Sequence, residues 1–254
     1  MSFFPPHWRN KVRRRFYSPY NKLVHRGRYF ICRYFGAEFL VRSANVGGLE
    51  ISAKIAEHGE LKNFMRGAAA IKPDIFIDVG ANLGLYTCIL MKNRLVPRAI
   101  LFEPDRRNRV HLGANLLIND LFDANLENHP LALGAEPGRF RLVPGPERDI
   151  GLSQIVETAR QEQGQGQGPS QGYDVEVVRF DDFVALTGQT LAIKIDVERY
   201  ERKVLAGMAR TLRDNRGIVQ IEVLEAREET VGLMTAAGFR LTQDFGPNLV
   251  FRKD

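Results

Sequence analysis

Short apolar runs alternate with stretches of helical period along most of this chain. Ile75–Val79 (Ile-Phe-Ile-Asp-Val) is a nearly continuous apolar run bounded by Pro73 and Gly80. Such a run, with no polar face of its own, predicts a parallel strand covered on both sides. Ala99–Glu103, Leu126–Leu133, Leu191–Asp196 and Ile218–Val223 read the same way. Between them, helical spacing predicts helices over Leu85–Asn93, Arg107–Asn119, Glu201–Arg213 and Thr230–Ala237, the last stopped by Gly238. Upstream, Ile51–Ala70 is also helical in period, with Gly59 as a candidate break and Pro73 beyond its end. Arg139–Val143 and Val175–Arg179 predict short additional strands, and Phe239–Thr242 with Leu249–Arg252 a closing antiparallel hairpin.

Strands alternating with helices predict βαβ units and a parallel sheet. Right-handed crossovers then narrow the topology to a doubly wound one. The expected fold is therefore α/β: a doubly wound, mostly parallel, seven-stranded Rossmann-like sheet with a C-terminal antiparallel hairpin and an N-terminal helical extension. Sheets of this kind bind ligands at the carboxyl ends of their strands, beside the point where strand order reverses. That rule gathers Asp78, Glu103 and Asp196 at one edge.

Composition adds boundaries. The 254 residues, 44% hydrophobic and 26% charged, suit one globular α/β domain with additions. Cys32 and Cys88 stand far apart without metal-ligand spacing, which argues against a disulfide framework and a cysteine zinc site. A reducing, cytoplasmic setting is expected. No run reaches the roughly 18 apolar residues of a spanning helix, and the N-terminus lacks the order of a secretory signal.

The net charge of +6 is unevenly placed: residues 1–42 hold ten Lys or Arg, one acid (Glu38) and eleven of the 24 aromatics. Residues 1–50 thus read as a basic aromatic arm ahead of a domain over 51–254. Such an arm suits peripheral contact with an anionic membrane surface; equally, it reads as a partly buried accessory helix whose long side chains reach water. Nucleic acid is not the expected partner, because a positive arm alone discriminates poorly. The alternating Gln and Gly of 161–172 read as a mobile surface loop.

The most informative segment is Asp78-Val-Gly-Ala-Asn-Leu-Gly84, between a strand and a helix. Glycines there allow a sharp turn and close approach of backbone to a ligand. A dinucleotide site would prefer Gly-x-Gly-x-x-Gly to cradle a pyrophosphate, whereas here Asn82 takes the middle glycine position and an acid precedes the turn. That suits a nucleoside ligand with a cationic amino group, such as S-adenosylmethionine. Glu103 ends the next strand, 19 residues beyond Gly84, where a carboxylate accepts from ribose hydroxyls. Taken alone, either acid is best read as solvated; their joint spacing is what points to a site.

The run Phe76-Ile-Asp-Val-Gly-Ala-Asn-Leu-Gly-Leu-Tyr-Thr resembles the first motif of FkbM-type methyltransferases, a branch of the class I S-adenosylmethionine enzymes. The resemblance continues through Phe102-Glu-Pro-Asp, Ala132-Leu-Gly, Phe180-Asp-Asp-Phe and Ile193-Lys-Ile-Asp-Val-Glu, covering roughly Ile51 to Phe251. It implies that Gly80, Ala81, Asn82 and Gly84, after Asp78, surround the cofactor's methionine half, with Glu103 on the ribose. It also implies cofactor roles for Asn115 on the following helix and for Ala132 and Leu133 beside the adenine. Asp196 and Glu198 would face the reacting methyl, with Lys194 behind them. The family's Glu-Gly-x-Glu reads Glu198-Arg-Tyr-Glu201 here, so Arg199 departs from the pattern.

The resemblance implies O-methylation of a hydroxyl on a sugar, glycan or related natural product. Asp196 is the first candidate for general base and Glu198 the second, a role that contributes about 10²–10⁴-fold. No second pair of oxygen ligands follows Asp196, so no metal is expected. His58, His111 and His129 stand isolated, and none is expected to be a catalyst; His58 lies near Glu57 and Glu60 just ahead of the cofactor motif, in a segment placed to cover the active site. A nicotinamide-dependent oxidoreductase shares this fold and Glu103 but would prefer a glycine at Asn82. A non-catalytic S-adenosylmethionine-binding protein is the other alternative, encouraged only by Arg199.

Overall fold

The computed structural model describes residues 27–54, 56–122, 125–146, 149–156 and 172–254. Arm residues 1–26 and nearly all of the expected Gln/Gly loop lie outside the described residues. The described chain begins with an antiparallel hairpin, Tyr29–Tyr34 (β1) and Ala37–Arg42 (β2), turned by Phe35 and Gly36 at φ 44° and 85°. Helices α1 (Val46–Ser52) and α2 (His58–Ile71) follow, then β3 (Ile75–Val79), α3 (Leu85–Lys92), β4 (Ala99–Phe102), α4 (Arg106–Ile118) and β5 (Leu126–His129). The middle of the chain supplies β6 (Ala132–Leu133), β7 (Gly138–Val143), β8 (Gln154–Val156), β9 (Tyr173–Val178) and the short α5 (Phe180–Phe183). It closes with β10 (Thr190–Ile195), α6 (Glu201–Gly207), α7 (Ala209–Asp214), β11 (Arg216–Glu222), α8 (Arg227–Ala236), β12 (Arg240–Phe245) and β13 (Asn248–Lys253).

The central sheet has seven strands in the order β12-β13-β11-β10-β3-β4-β5. Its five core strands pair in parallel, while β13 runs antiparallel to both β11 and β12. This is the expected doubly wound sheet with its terminal hairpin. Strand order reverses between β3 and β10. Alternation along each strand feeds two cores, because successive side chains leave a strand on opposite faces. Phe76, Leu101, Ala192 and Ile218 join the cluster under α2, α3, α4 and the hairpin. Ile77, Ile100, Ile193 and Val219 join the cluster under α6 to α8. A second sheet, β6-β9-β7-β8, sits beside the carboxyl end of β4 and β5.

Four expectations change. The N-terminal extension, where described, is chiefly a hairpin: Ala37, Phe39 and Val41 alternate inward with period two and are buried in the main core. That core therefore runs across the expected boundary at residue 50. Leu126–Leu133 is two strands in two sheets, parted at Pro130, which has no N–H for a ladder. The helix at Glu201–Arg213 is divided at Met208. Gly59 lies inside α2, and the break before that helix falls at residues 53–57. Among the described residues no helix is long and apolar enough to cross a membrane.

Candidate active site

At the reversal point the turn after β3 is fixed by a steric limit. Gly80 stands at φ 78°, and a Cβ there would lie 1.9 Å from the Asp196 carbonyl oxygen. Only glycine lets the ends of β3 and β10 approach this closely. Asn82 follows at φ 52°, a conformation asparagine tolerates better than most residues. Its backbone N–H donates to Glu103 Oε2 at 2.7 Å, so the turn is tied directly to the end of β4.

Two cavities meet at this turn and share Gly80, Asn82 and Asp196. The first is lined by Phe102, Leu131, Ala132, Leu133, Leu142 and Ile155 around Glu103. Glu103 is buried and also accepts from the Asp105 N–H at 2.8 Å. Burial pushes its carboxyl up to about 7, against hydrogen bonds from Asp105, Asn82 and the Asn108 side chain. A carboxylate offers about four lone-pair sites, so those three bonds leave it room for another donor. Asn108 Oδ1 and Asn82 Oδ1 are buried in the same region without a hydrogen-bond partner among the described residues. Ser153, which also lines the cavity, donates to Asp105 Oδ2 at 2.6 Å and so pins the segment before β8 over the opening. An apolar slot, an acid at its rim and unmet amide oxygens fit a nucleoside.

The second cavity lies on the other side of the turn. Its floor is a polar row across three parallel strands, Asp78 opposite Lys194 and Lys194 opposite Gln220. Thr87 Oγ1 donates to Asp78 Oδ2 at 2.6 Å. Burial raises Asp78 to about 6, opposed by that hydroxyl and by Lys194. Lys194 Nζ lies 2.7 Å from Asp196 Oδ2 and 3.8 Å from Glu57 Oε2. Burial disfavours the ammonium, but Asp196 and Glu57 outweigh it and hold Lys194 above its ordinary value. Tyr86 donates to Glu57 Oε2 at 2.7 Å and accepts from Gln220 Nε2 at 2.8 Å.

Three carboxylates, Asp196, Glu198 and Glu222, gather at the ends of β10 and β11 with oxygens within 4.8 Å of one another. Burial alone would raise Asp196; the Lys194 ammonium and a bond from Glu222 keep it below its ordinary value. Glu222 is raised to about 9 by burial and by Asp196, so at neutral pH it carries the proton and donates it to Asp196. Burial, then Asp196 and Glu201, lift Glu198 to about 7. The spacing would admit a cation, but Asp196 is already met by an ammonium and a carboxyl proton.

Asp78, Gly80, Ala81, Asn82, Glu103, Ala132, Leu133, Asp196 and Glu198 all line one cavity or the other. Gly84 caps α3 at φ 83° behind the turn. Asn115 lies outside both linings: its Oδ1 accepts from the Leu40 N–H at 2.8 Å and its Nδ2 donates to the Leu83 carbonyl at 2.8 Å. Arg199 keeps the backbone shape that a glycine would give, at φ 78° directly after Glu198 at φ 53°. Sequence reading missed Tyr86, Gln220 and Glu222, and had Glu57 only as part of a segment covering the site. The signal for Gln220 was a lone polar residue inside an apolar strand.

The family profile described as "Methyltransferase FkbM domain" matches residues 78–241. No curated protein matches the chain. Among solved structures it resembles a methyltransferase FkbM from Methylobacillus flagellatus KT at 14% identity and TM-score 0.48, with 82% of this chain and 54% of that one covered. The chain thus spans about half the length of that relative. It also resembles a SAM-dependent methyltransferase from Agrobacterium tumefaciens at 8% identity and TM-score 0.50, covering 88% and 69% of the two chains. The Agrobacterium likeness bears on the fold alone.

Proposed function

The chain belongs to the FkbM methyltransferase family, an S-adenosylmethionine-dependent one, and from that premise we propose that it methylates a hydroxyl group, on a sugar, glycan or related natural product. Bound S-adenosylmethionine supplies an electrophilic methyl on a sulfonium. In this reading Ala132 and Leu133 flank the adenine, Glu103 accepts from the ribose, and Asp78 with Gly80 to Asn82 borders the amino-acid half.

A hydroxyl acceptor must lose a proton as its oxygen is methylated. The observation that carries the proposal is the place of Glu198, which lines the first cavity with Asp196; burial pushes its carboxyl up to about 7. A base works best when its pKa lies near the operating pH. Asp196 is a weaker base because Lys194 and Glu222 stabilise its anion; its task is to orient the acceptor and anchor the end of β10. We therefore put Glu198 ahead of Asp196 as general base. Most of the remaining acceleration comes from aligning acceptor oxygen and methyl.

Titration calorimetry with S-adenosylhomocysteine and with NAD tests the cofactor: the first binds and the second does not. A screen of radiolabelled methyl transfer to cell-envelope glycans and lipid extracts tests the acceptor. Label on hydroxyls supports the proposal; label only on nitrogen or carbon overturns it. Residues 1–42 are proposed to hold the enzyme against an anionic surface carrying such acceptors, which vesicle binding with and without residues 1–26 tests, because the β1–β2 hairpin belongs to the core.

A further inference from the structure

The second cavity is closed by residues that lie upstream of the matched family region. Glu50 and Ile51 of α1, and Ala56 and Glu57 before α2, form its outer wall. Glu57 is placed unusually. It stands at the N-terminus of α2 in the left-handed region, φ 42°, and its side chain makes no capping bond. That conformation is uncommon for a residue of this kind. Strain of this sort persists where surroundings fix it and clusters at ligand sites. Here it turns the carboxylate away from the helix and into the cavity.

The charges in the cavity do not balance. One ammonium, Lys194, faces three carboxylates: Asp196 at 2.7 Å, Glu57 at 3.8 Å and the buried Asp78 beside it in register. Lys194 gives its closest contact to Asp196. Tyr86 and Lys194 both address Glu57 Oε2. Burial raises Glu57 above its ordinary value even with Lys194 nearby. Carboxylates in excess of their cations are stabilised when a cationic group enters.

We propose that Glu57 is a cofactor-binding residue that takes the α-ammonium of the cofactor's amino-acid half, opposite Asp78 across the second cavity. This rests on the reading that the first cavity holds the nucleoside. The segment from α1 to the start of α2 is then part of the binding site, and Tyr86 is the positioning residue that aims Glu57 by a hydrogen bond.

The test uses the full chain and two probes, S-adenosylhomocysteine and 5′-methylthioadenosine, which shares the nucleoside but lacks the amino-acid half. In E57Q, S-adenosylhomocysteine affinity is expected to fall by about 10- to 100-fold, the worth of a charge-assisted bond. Methylthioadenosine affinity is expected to stay within about twofold of wild type. Equal loss of both probes, or no loss of either, overturns the inference. Should E57Q fail to fold, wild type is titrated with S-adenosylhomocysteine lacking its α-amino group: a loss of the same order supports the site, and unchanged affinity overturns it. Wild type that binds neither probe removes the cofactor reading as well.

Discussion

Lys194 Nζ lies 2.7 Å from Asp196 Oδ2, two residues along the same strand, with the lysine side chain only 4% exposed. An ammonium so deeply buried is held by its acids, and the acids in turn rely on it. Asp78, Glu57 and Asp196 all feel its charge. Removing one partner of such a group leaves uncompensated buried charge.

K194M is therefore expected to destabilise the fold by about 3–5 kcal/mol near pH 8. The loss shrinks towards pH 5, because Asp78, raised to about 6, and Glu57 then take up protons and no longer need the cation. Urea unfolding at the two pH values reads both numbers. A loss independent of pH would mean that Lys194 contributes packing alone.

Glu198 gives a kinetic prediction. With its carboxyl near 7, kcat of the wild type rises as pH passes through about 7 and then levels. E198Q is expected to lower kcat by about 10²–10⁴-fold and to abolish that rise. S-adenosylhomocysteine affinity, measured by calorimetry, serves as the control for an intact cofactor site. If D196N removes the pH dependence and E198Q does not, the order of the two acids is reversed.

Arg199 answers a question the sequence posed. It adopts φ 78°, its N–H donates to Glu201 Oε1 at 3.0 Å, and its guanidinium pairs with Glu225 at 2.7 Å on the surface. A left-handed non-glycine residue costs about 1–2 kcal/mol, and an exposed pair returns about 0–1 kcal/mol. R199G should thus raise stability by up to about 1 kcal/mol, or Tm by about 2–4 °C. Differential scanning calorimetry decides it, and a fall in Tm would show that the surface pair outweighs the strain.

Stability of the cofactor-free protein should also fall with rising pH. Glu103 and Glu222 have folded values of about 7 and about 9 against an ordinary 4.5. Their folded forms hold protons more tightly than the unfolded chain does. Stability therefore declines as pH climbs from about 4.5, and the decline ends once each folded value is passed. E222Q, which mimics the protonated acid, should flatten the slope between pH 6 and 9 in urea unfolding. An unchanged slope would exclude Glu222 as its source.

The sheet was legible because its strands are buried on both faces and read as near-continuous apolar runs. Asp78, Gly80 and Glu103 were legible through spacing around one turn. The resemblance already placed Lys194 behind Asp196, and Gln220 could have been found as a polar residue inside the apolar run Ile218–Val223, since in register it continues the row of Asp78 and Lys194. Glu57 was legible only as part of a covering segment: its entry into the site depends on a left-handed backbone that no glycine announced. The β1–β2 hairpin was obscured because the arm's charge drew attention from the alternation of Ala37, Phe39 and Val41. Asn115 was placed on the correct helix, but its bonds run to backbone on either side of that helix.

Those bonds have a consequence for how molecules of this protein meet one another. Asn119 receives the Glu38 N–H at 2.9 Å and donates to the Glu38 carbonyl, and Asn115, one turn earlier on α4, receives the Leu40 N–H. The two amides occupy the donors and acceptors that β2 would otherwise present along its outer edge. An open edge is a template for strand addition by a neighbouring chain. Here two asparagines stand in for that missing strand and cover the β2 edge at Glu38 and Leu40.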